Sequence, residues 1–191
     1  MKKNIRRRMI NKRKNLDEKN WIEGSYIIQR KILDSIFYKQ ADSILIYYPF
    51  DKEVKTDVVI KDALSKGKIV CIPFNDIKNK TFFPSLITSL QEVDINRKIP
   101  QPSVMHPYPA NRIDLIIVPG VAFDKEGNRI GMGGGFFDNF LRQIKKGAIK
   151  IAVAFDFQVL DERLPCERWD EKVNAIITEQ RTIFCGDLNK M

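Results

Sequence analysis

The sequence VPGVAFDKEGNRIGMGGGFFDNF occupies residues 118–140 and carries most of the information about the fold. The run from Leu115 to Val118 is apolar and closes at Pro119, a pattern that is typical of a buried strand. The glycines of residues 131–135 then lead into Phe137 to Lys145, which favours a helix. A strand joined through a glycine loop to a helix is a repeating unit of α/β folds.

The same alternation continues on both sides of this segment. The predicted helices, which share apolar residues at helical spacing, are residues 3–14, the stretch from Trp21 to Ile36, and Thr56 to Lys66 with Gly67 as a left-handed cap. The predicted strands, which are short apolar runs, are Ile44 to Tyr48, Ile69 to Ile72, Thr81 to Phe83, Ile149 to Phe155 and Ala175 to Thr178. Strands that alternate with helices predict an α/β fold whose mostly parallel sheet is covered on both faces.

Length and composition define the class of protein. A chain of 191 residues that is 43% hydrophobic can bury one substantial core, so we predict a single domain over residues 1–191. No stretch approaches the roughly 18 consecutive apolar residues of a membrane span, and the basic N-terminus lacks the apolar core of a signal peptide. We expect a cytoplasmic protein with no membrane partner, and we expect a monomer.

Cysteine and histidine contribute no recognisable site. The three cysteines, Cys71, Cys166 and Cys185, are widely separated, and His106 is the one histidine. This pattern excludes a disulfide framework and a zinc site, and it offers no Cys-His pair for nucleophilic catalysis. We interpret the cysteines as small apolar residues.

Positive charge is concentrated at the N-terminus. The net charge is +9, and the basic residues of the first predicted helix are Lys2, Lys3, Arg6, Arg7, Arg8, Lys12, Arg13 and Lys14. Such a field predicts an anionic partner, which nucleic acid, an acidic membrane face or a small polyphosphate or polycarboxylate would each satisfy. Charge alone does not choose among them, and a solvated helix face is the plain alternative.

The glycine loop has the chemistry of a phosphate site. Glycines at 131 and 133–135 allow consecutive backbone amides to face one anion, and the following helix adds the positive end of its dipole. The loop lacks the Gly-Lys-Ser/Thr ending of a P-loop, and Phe136 stands where the dinucleotide fingerprint has glycine. Arg129 is suited to clamp a phosphate and Asp138 to bind Mg²⁺. For the glycine run in isolation, a plain turn is the alternative.

Three strings in this segment resemble the signature of a known family. They are VPGVAFD at 118–124, GNRIG at 127–131 and GGGFFD at 133–138, and they are similar to the 5-formyltetrahydrofolate cyclo-ligases, also called methenyltetrahydrofolate synthetases. The resemblance covers nearly the whole chain, including Lys2, Arg6 and Arg13 of the opening helix, Ile44 to Thr56 with Glu53, Ile151 to Gln158, Leu164-Pro165, Trp169-Asp170 and Asn174 to Glu179. It implies a three-layer α/β/α fold, which agrees with the alternation described above.

The resemblance also implies an activity and a set of site residues. The activity is ATP-dependent closure of 5-formyltetrahydrofolate to 5,10-methenyltetrahydrofolate, with release of ADP and phosphate. The implied ATP-binding residues are Lys2, with Lys3 as its alternative, Arg6, Arg129, Ile130, Gly131, Met132, Gly133, Gly134, Gly135, Phe136 and Phe137. The implied folate-binding residues are Tyr48, Glu53, Met132, Gly133, Gly134, Gly135 and Phe136. Asp138 and Asp170 are the implied magnesium ligands, and Arg129 and Asp138 the implied catalytic residues.

The sequence departs from the family pattern at two places. Phe136 and Phe137 replace a pair of tyrosines, so any hydrogen bond from their hydroxyls is lost. Met132 and Gly134 stand where some relatives have a basic residue, which places more of the phosphate binding on Arg129 and the N-terminal helix.

The expected chemistry matches the residue types. In the family's mechanism, ATP phosphorylates the formyl oxygen before the neighbouring amine closes the ring, and such transfer requires cations and backbone amides more than a covalent nucleophile. Two alternatives remain. One is a basic nucleic-acid-binding domain, although aromatic residues do not interleave with its basic run. The other is a phosphotransferase of the same fold that acts on another small acid.

Overall fold

The computed structural model describes residues 1–144, 147–167 and 169–186. Its helices are α1 (Lys2–Lys14), α2 (Glu18–Asp34), α3 (Ile36–Gln40), α4 (Asp57–Ser65) and α5 (Phe136–Leu141). The strands are β1 (Ser43–Ile46), β2 (Ile69–Asp76), β3 (Thr81–Ile87), β4 (Val93–Asp94), β5 (Gln101–Pro102), β6 (Leu115–Val118), β7 (Ala122–Asp124), β8 (Arg129–Ile130), β9 (Ile149–Val153), β10 (Val159–Leu160), β11 (Ala175–Ile177) and β12 (Thr182–Phe184). In this part of the chain, no helix is both long enough and apolar enough to serve as a transmembrane segment.

The central sheet has the strand order β12-β11-β9-β6-β1-β2-β3 in the described part of the chain. Neighbouring strands from β11 to β2 pair in parallel, whereas β12 and β3 add antiparallel edges. The strands of the middle are buried on both faces, as parallel strands require. The predicted α/β fold with a mostly parallel sheet is therefore confirmed.

Different layers cover the two faces of the sheet. On one face, α2, α3 and α4 pack residues such as Ile28 and Ile60 against Ile44 of β1. On the other face, Phe140 of α5 and Phe123 of β7 pack against the opposite side of the same strands. This second outer layer contains the small sheet β10-β7-β8 beside α5, so it is only partly helical.

Several predicted boundaries are wrong, for identifiable reasons. Strand β2 continues past Ile72 and through Pro73 to Asp76, although its pairing with β1 ends at Cys71. Beyond Cys71, β2 pairs with β3 alone, and Pro73 lies opposite Pro84. Proline has no backbone N–H to donate, but at this position β1 offers no hydrogen bond that would be lost. The rest of β2 and β3 forms a two-stranded ribbon.

Two predicted helices also have different limits. The stretch from Trp21 to Ile36 is two helices, because the Ser35 hydroxyl accepts a hydrogen bond from the Tyr38 amide and starts α3. Ile36 is consequently exposed and is not part of the buried stripe. The last predicted helix ends at Leu141 in the structure, and its predicted end at Lys145 lies outside the described residues.

Helix α1 lies beside the carboxyl ends of the central strands. Its Met9 is buried in a small apolar cluster with Val121, Ala122 and Ile130 from the region around β7 and β8. This packing orients α1 so that its N-terminal basic residues approach the glycine loop.

Candidate functional site

One cleft collects nearly all of the predicted site residues. It has a volume of about 490 Å³ and opens where the carboxyl ends of β1, β2 and β6 meet, the edge at which sheets of this kind bind ligands. The predicted residues that line it are Lys2, Arg6, Tyr48, Glu53, residues 129–138 and Asp170. Lys3 is exposed and does not line the cleft, which favours Lys2 over Lys3 as the basic residue of this site.

The glycine loop is folded around two guanidinium groups. The Nε atom of Arg6 donates a hydrogen bond to the carbonyl oxygen of Gly131 at 2.7 Å. Gly133 has φ +101°, and a Cβ there would lie 3.3 Å from the guanidinium carbon of Arg6. A Cβ on Gly131 would lie 2.7 Å from Nη1 of Arg129. These glycines therefore allow the backbone to approach the two arginines closely.

Arg129 is held rigidly at the base of the loop. Its Nη2 donates to Oδ1 of Asp138 at 2.7 Å, and the ring of Phe137 lies 5.8 Å from the guanidinium. The buried Nε atom has no hydrogen-bond partner in the described structure. An unsatisfied buried donor costs about 1–3 kcal/mol, so an incoming anion that reached it would gain a strong hydrogen bond.

A second ion pair lies at the opening of the cleft. Lys2 Nζ is 2.5 Å from Oδ2 of Asp170 and 3.3 Å from Oε1 of Glu167. Partial burial by itself would lower the pKa of Lys2, but the hydrogen bonds and charges of the two carboxylates outweigh it and raise that pKa. The ammonium is therefore firmly protonated at the edge of the loop.

The two carboxylates predicted to bind magnesium line the same cleft. Among the described residues, the ion pairs engage one oxygen of each, Oδ1 of Asp138 and Oδ2 of Asp170, so that a metal could bind through the other. No cluster of three or more potential protein ligands occurs in the described ranges. Mg²⁺ that binds together with nucleotide phosphates needs only one or two carboxylates, so this donor set fits it.

Glu53 also lines the cleft and is only 5% exposed. The loop that carries it follows β1 and bends through Asp51 and Lys52, whose φ angles of 50° and 55° are uncommon for residues other than glycine. Burial raises the pKa of Glu53 to about 7, opposed by the positive charge of Arg13 and by the Phe50 amide, which donates to Oε2 at 3.3 Å. Burial therefore favours the protonated carboxyl, whereas Arg13 and the Phe50 amide favour the ionised form.

Several lining residues were not predicted from the sequence. They are mainly apolar: Tyr47, Phe50, Pro73, Asn75, Phe82, Ile99, Pro100 and Trp169. These residues come from separate strands and loops, and no local motif marks them. The pairing of β2 with β3 places Asn75 opposite Phe82, and the other residues are brought to the cleft by the tertiary fold.

Asp124 belongs to the same signature but has a different role. It is buried, and its carboxylate accepts hydrogen bonds from the amides of Glu126, Asn128 and Leu164 and from the Asn128 side chain, at 2.8–3.0 Å. Asp124 therefore fixes the turn before β8 and thereby the position of Arg129.

Comparisons with known proteins extend over nearly the whole chain. Residues 1–179 match the sequence model of the 5-formyltetrahydrofolate cyclo-ligase family. The 5-formyltetrahydrofolate cyclo-ligase of Haemophilus influenzae is 32% identical over 163 residues, covering 83% of this chain and 87% of the relative. The mouse enzyme of the same name is 28% identical over 190 residues, or 93% of each chain. The NMR structure of Aquifex aeolicus 5,10-methenyltetrahydrofolate synthetase superimposes with a TM-score of 0.84 at 29% identity, covering 97% of this chain and 93% of that one.

Proposed function

Since the chain belongs to the 5-formyltetrahydrofolate cyclo-ligase family, we propose that its cleft holds ATP and 5-formyltetrahydrofolate together and forms 5,10-methenyltetrahydrofolate by way of a phosphorylated formyl group. The observation that carries the proposal is the pairing, in one cleft, of an arginine-lined glycine loop with a buried carboxylate. The first suits a polyphosphate and the second suits the hydrogen-bond donors of a pterin.

The proposed reaction has two steps. The formyl oxygen attacks the γ-phosphorus of ATP, the bond to the bridging oxygen breaks, and ADP leaves. The amine nitrogen at position ten then attacks the formyl carbon, its proton passes to solvent, and the carbon–oxygen bond breaks. Inorganic phosphate leaves with the formyl oxygen, and the methenyl bridge remains between the two nitrogens.

The phosphate end of the cleft would stabilise charge in the first step. Arg129 is positioned by Asp138 and has a free Nε donor, so it can follow the charge that develops on the transferred phosphoryl group. Arg6 and Lys2 would bind the remaining phosphate oxygens. A magnesium ion held by Asp138 and Asp170 would neutralise phosphate charge when it is bound with ATP.

The other end of the cleft would orient the folate. Glu53 accepts hydrogen bonds from the amino and ring nitrogen donors of the pterin, and Tyr48 lies beside it. The apolar wall that includes Phe82 and Trp169 would exclude water from the reacting groups. A cytoplasmic, monomeric enzyme remains our expectation.

Steady-state kinetics of Glu53→Gln test the folate end. The pterin contact exists before and after phosphorylation, so its loss should raise the folate KM more than it lowers kcat, by roughly ten- to a hundredfold in kcat/KM. The ATP KM should barely change. A folate KM equal to that of the wild type, in a variant with normal folding, would remove Glu53 from the site.

A comparison of substrates tests the reaction class. We expect methenyltetrahydrofolate to form, measured by its absorbance, only when ATP, Mg²⁺ and 5-formyltetrahydrofolate are all present. Faster ATP turnover with another small acid would assign the cleft to a different phosphotransferase. A salt-sensitive gel shift without folate activity would favour nucleic-acid binding.

A further inference from the structure

Arg13 differs from the other basic residues near the C-terminal end of α1. Lys12 and Lys14 are exposed, and Lys14 forms a surface ion pair with Asp51 at 3.8 Å, whereas Arg13 is 1% exposed. Its Nη1 lies 3.7 Å from Oε1 of Glu53, and its Nη2 lies 3.6 Å from Oδ2 of Asp51. Both separations are ion-pair distances that are too long for hydrogen bonds.

Stability alone does not explain a buried arginine at this position. Its Nε and Nη2 have no hydrogen-bond partner in the described structure. Burying a guanidinium with unpaired donors is costly, and an apolar side chain of similar length would fill the space at lower cost. The charge of Arg13 therefore points to a role toward its neighbours.

The surroundings of Glu53 identify that role. From its own loop, Asp51 repels the Glu53 carboxylate and the Phe50 amide binds it. From β1, the hydroxyl of Tyr47 is directed to the carbonyl oxygen of Val54. Among the described residues, Arg13 is the one cation that forms an ion pair with Glu53.

The backbone of Glu53 is fixed independently of Arg13. Trp21 of α2 donates from Nε1 to the Glu53 carbonyl oxygen at 2.8 Å. The ammonium of Lys55 lies 4.6 Å from the Trp21 ring centroid. Loss of the Arg13 charge should therefore alter the carboxylate of Glu53 without displacing the loop.

We propose that Arg13 is a positioning residue for the ligase reaction: its charge favours the ionised form of the Glu53 carboxylate and orients that carboxylate so that it can receive the pterin. This inference rests on the proposed role of Glu53 in folate binding. One helix would then serve both substrates, because α1 carries Arg6 and Lys2 at the phosphate end and Arg13 behind the folate end.

The first test measures Glu53 directly in the ligand-free protein. The side-chain carboxyl carbon of Glu53 is assigned by its loss in Glu53→Gln and titrated by NMR in wild type, Arg13→Met and Lys12→Met. We expect the midpoint to rise by about one pH unit or more in Arg13→Met and to stay near the wild-type value in the exposed control Lys12→Met. An unchanged midpoint in Arg13→Met overturns the inference.

The second test uses the pH dependence of catalysis. In Arg13→Met we expect kcat/KM for 5-formyltetrahydrofolate to fall about tenfold at neutral pH and to recover toward the wild-type value near pH 9, where Glu53 ionises without help. The ATP KM should change by less than about twofold. Arg13→Lys, which keeps the charge, should restore most of the activity. A loss that is equal at every pH, or that lysine does not restore, means that Arg13 serves only packing.

A double variant separates this inference from the proposed function. If Arg13 acts through Glu53, then Arg13→Met combined with Glu53→Gln should have the folate KM of Glu53→Gln alone. Additive losses overturn the inference and leave the folate role of Glu53 intact. A normal folate KM in Glu53→Gln itself contradicts the proposed function, whereas the NMR titration still decides whether Arg13 controls the Glu53 charge.

Discussion

The Nη2 atom of Arg129 donates to Oδ1 of Asp138 at 2.7 Å, and this ion pair joins strand β8 to the first turn of α5 across the glycine loop. Arg129 is buried and Asp138 is half-buried, so each fixes the position of the other. A nucleotide bound as proposed would meet a positioned guanidinium and a carboxylate of which, among the described residues, Oδ1 is the oxygen paired with Arg129. This pair is the centre of the proposed phosphate site.

Asp138→Asn should reduce turnover by about a hundredfold and raise the Mg²⁺ concentration that is required, because it removes a charge from the proposed metal site. The amide oxygen can still accept from Arg129, so the melting temperature should change little. Asp161→Asn is the matched control, since Asp161 pairs with Lys125 on the open surface. An unchanged rate and metal requirement would contradict the assignment.

Arg129→Lys should raise the ATP KM and lower kcat by at least about tenfold, while the folate KM stays nearly constant. Lysine retains the charge but lacks the planar fork that bonds Asp138 and a phosphate at the same time. Initial rates with each substrate varied in turn check this prediction. A change confined to the folate KM would move Arg129 to the other end of the cleft.

Asp124→Ala should destabilise the protein by about 3 kcal/mol or more, because it leaves several buried hydrogen-bond donors without an acceptor. Chemical denaturation measures the loss. Folded Asp124→Ala should keep a near-normal folate KM at low temperature, since Asp124 does not line the cleft, whereas its ATP KM should rise because Asp124 fixes the turn that positions Arg129. A normal free energy of unfolding with impaired catalysis would make Asp124 a site residue.

The raised pKa of Glu53 makes a prediction about stability and pH. Burial favours the protonated carboxyl, so the folded state binds this proton more tightly than the unfolded state, where the pKa is near 4.5. The contribution of Glu53 to the free energy of unfolding is therefore fully present below pH 4.5 and is lost as the pH rises to about 7. Relative to Glu53→Gln, the wild-type free energy of unfolding should fall by about 3 kcal/mol over that range and level off above it. Urea denaturation of both proteins across the range measures the difference, and a difference independent of pH would contradict it.

Phe136→Tyr and Phe137→Tyr should fold normally and keep activity within about threefold. Both rings line the cleft, and the Phe137 ring packs edge-on against Phe82 with centroids 4.8 Å apart, so an added hydroxyl can reach the ligand space. Thermal melting and steady-state kinetics of each variant provide the check. Failure to fold would mean that the ring lies in the dry core.

The sequence was most informative where chemistry is local. The glycine loop, Arg129 and Asp138 lie within ten residues, so local sequence alone predicted a phosphate site there, with a plain turn as the alternative for the glycine run by itself. By contrast, Glu53 lies between Lys52 and Lys55 and has the pattern of a solvated loop residue, and only the family resemblance marked it. In the fold Glu53 is buried and pairs with Arg13 of α1, forty residues away in the sequence, and no single-sequence pattern encodes that contact.

In the fold, too, continuous local patterns were predicted and elements without a local pattern were not. Four-residue apolar runs such as Leu115–Val118 were located correctly, because burial on both faces leaves a continuous apolar signal. The sheet β10-β7-β8 was not predicted, since strands of two or three residues show no periodicity. That sheet carries Arg129, so the layer that positions the site was the part least visible in the sequence.

The fate of the formyl oxygen tests the central claim most directly. 5-Formyltetrahydrofolate labelled with ¹⁸O in the formyl group is converted with ATP and Mg²⁺, and the released phosphate is analysed by mass spectrometry. Phosphorylation of the formyl oxygen predicts one ¹⁸O atom in each phosphate, in step with methenyltetrahydrofolate formed. Unlabelled phosphate, with the label in water, would show that ATP is hydrolysed separately from ring closure and would contradict the mechanism proposed for this cleft.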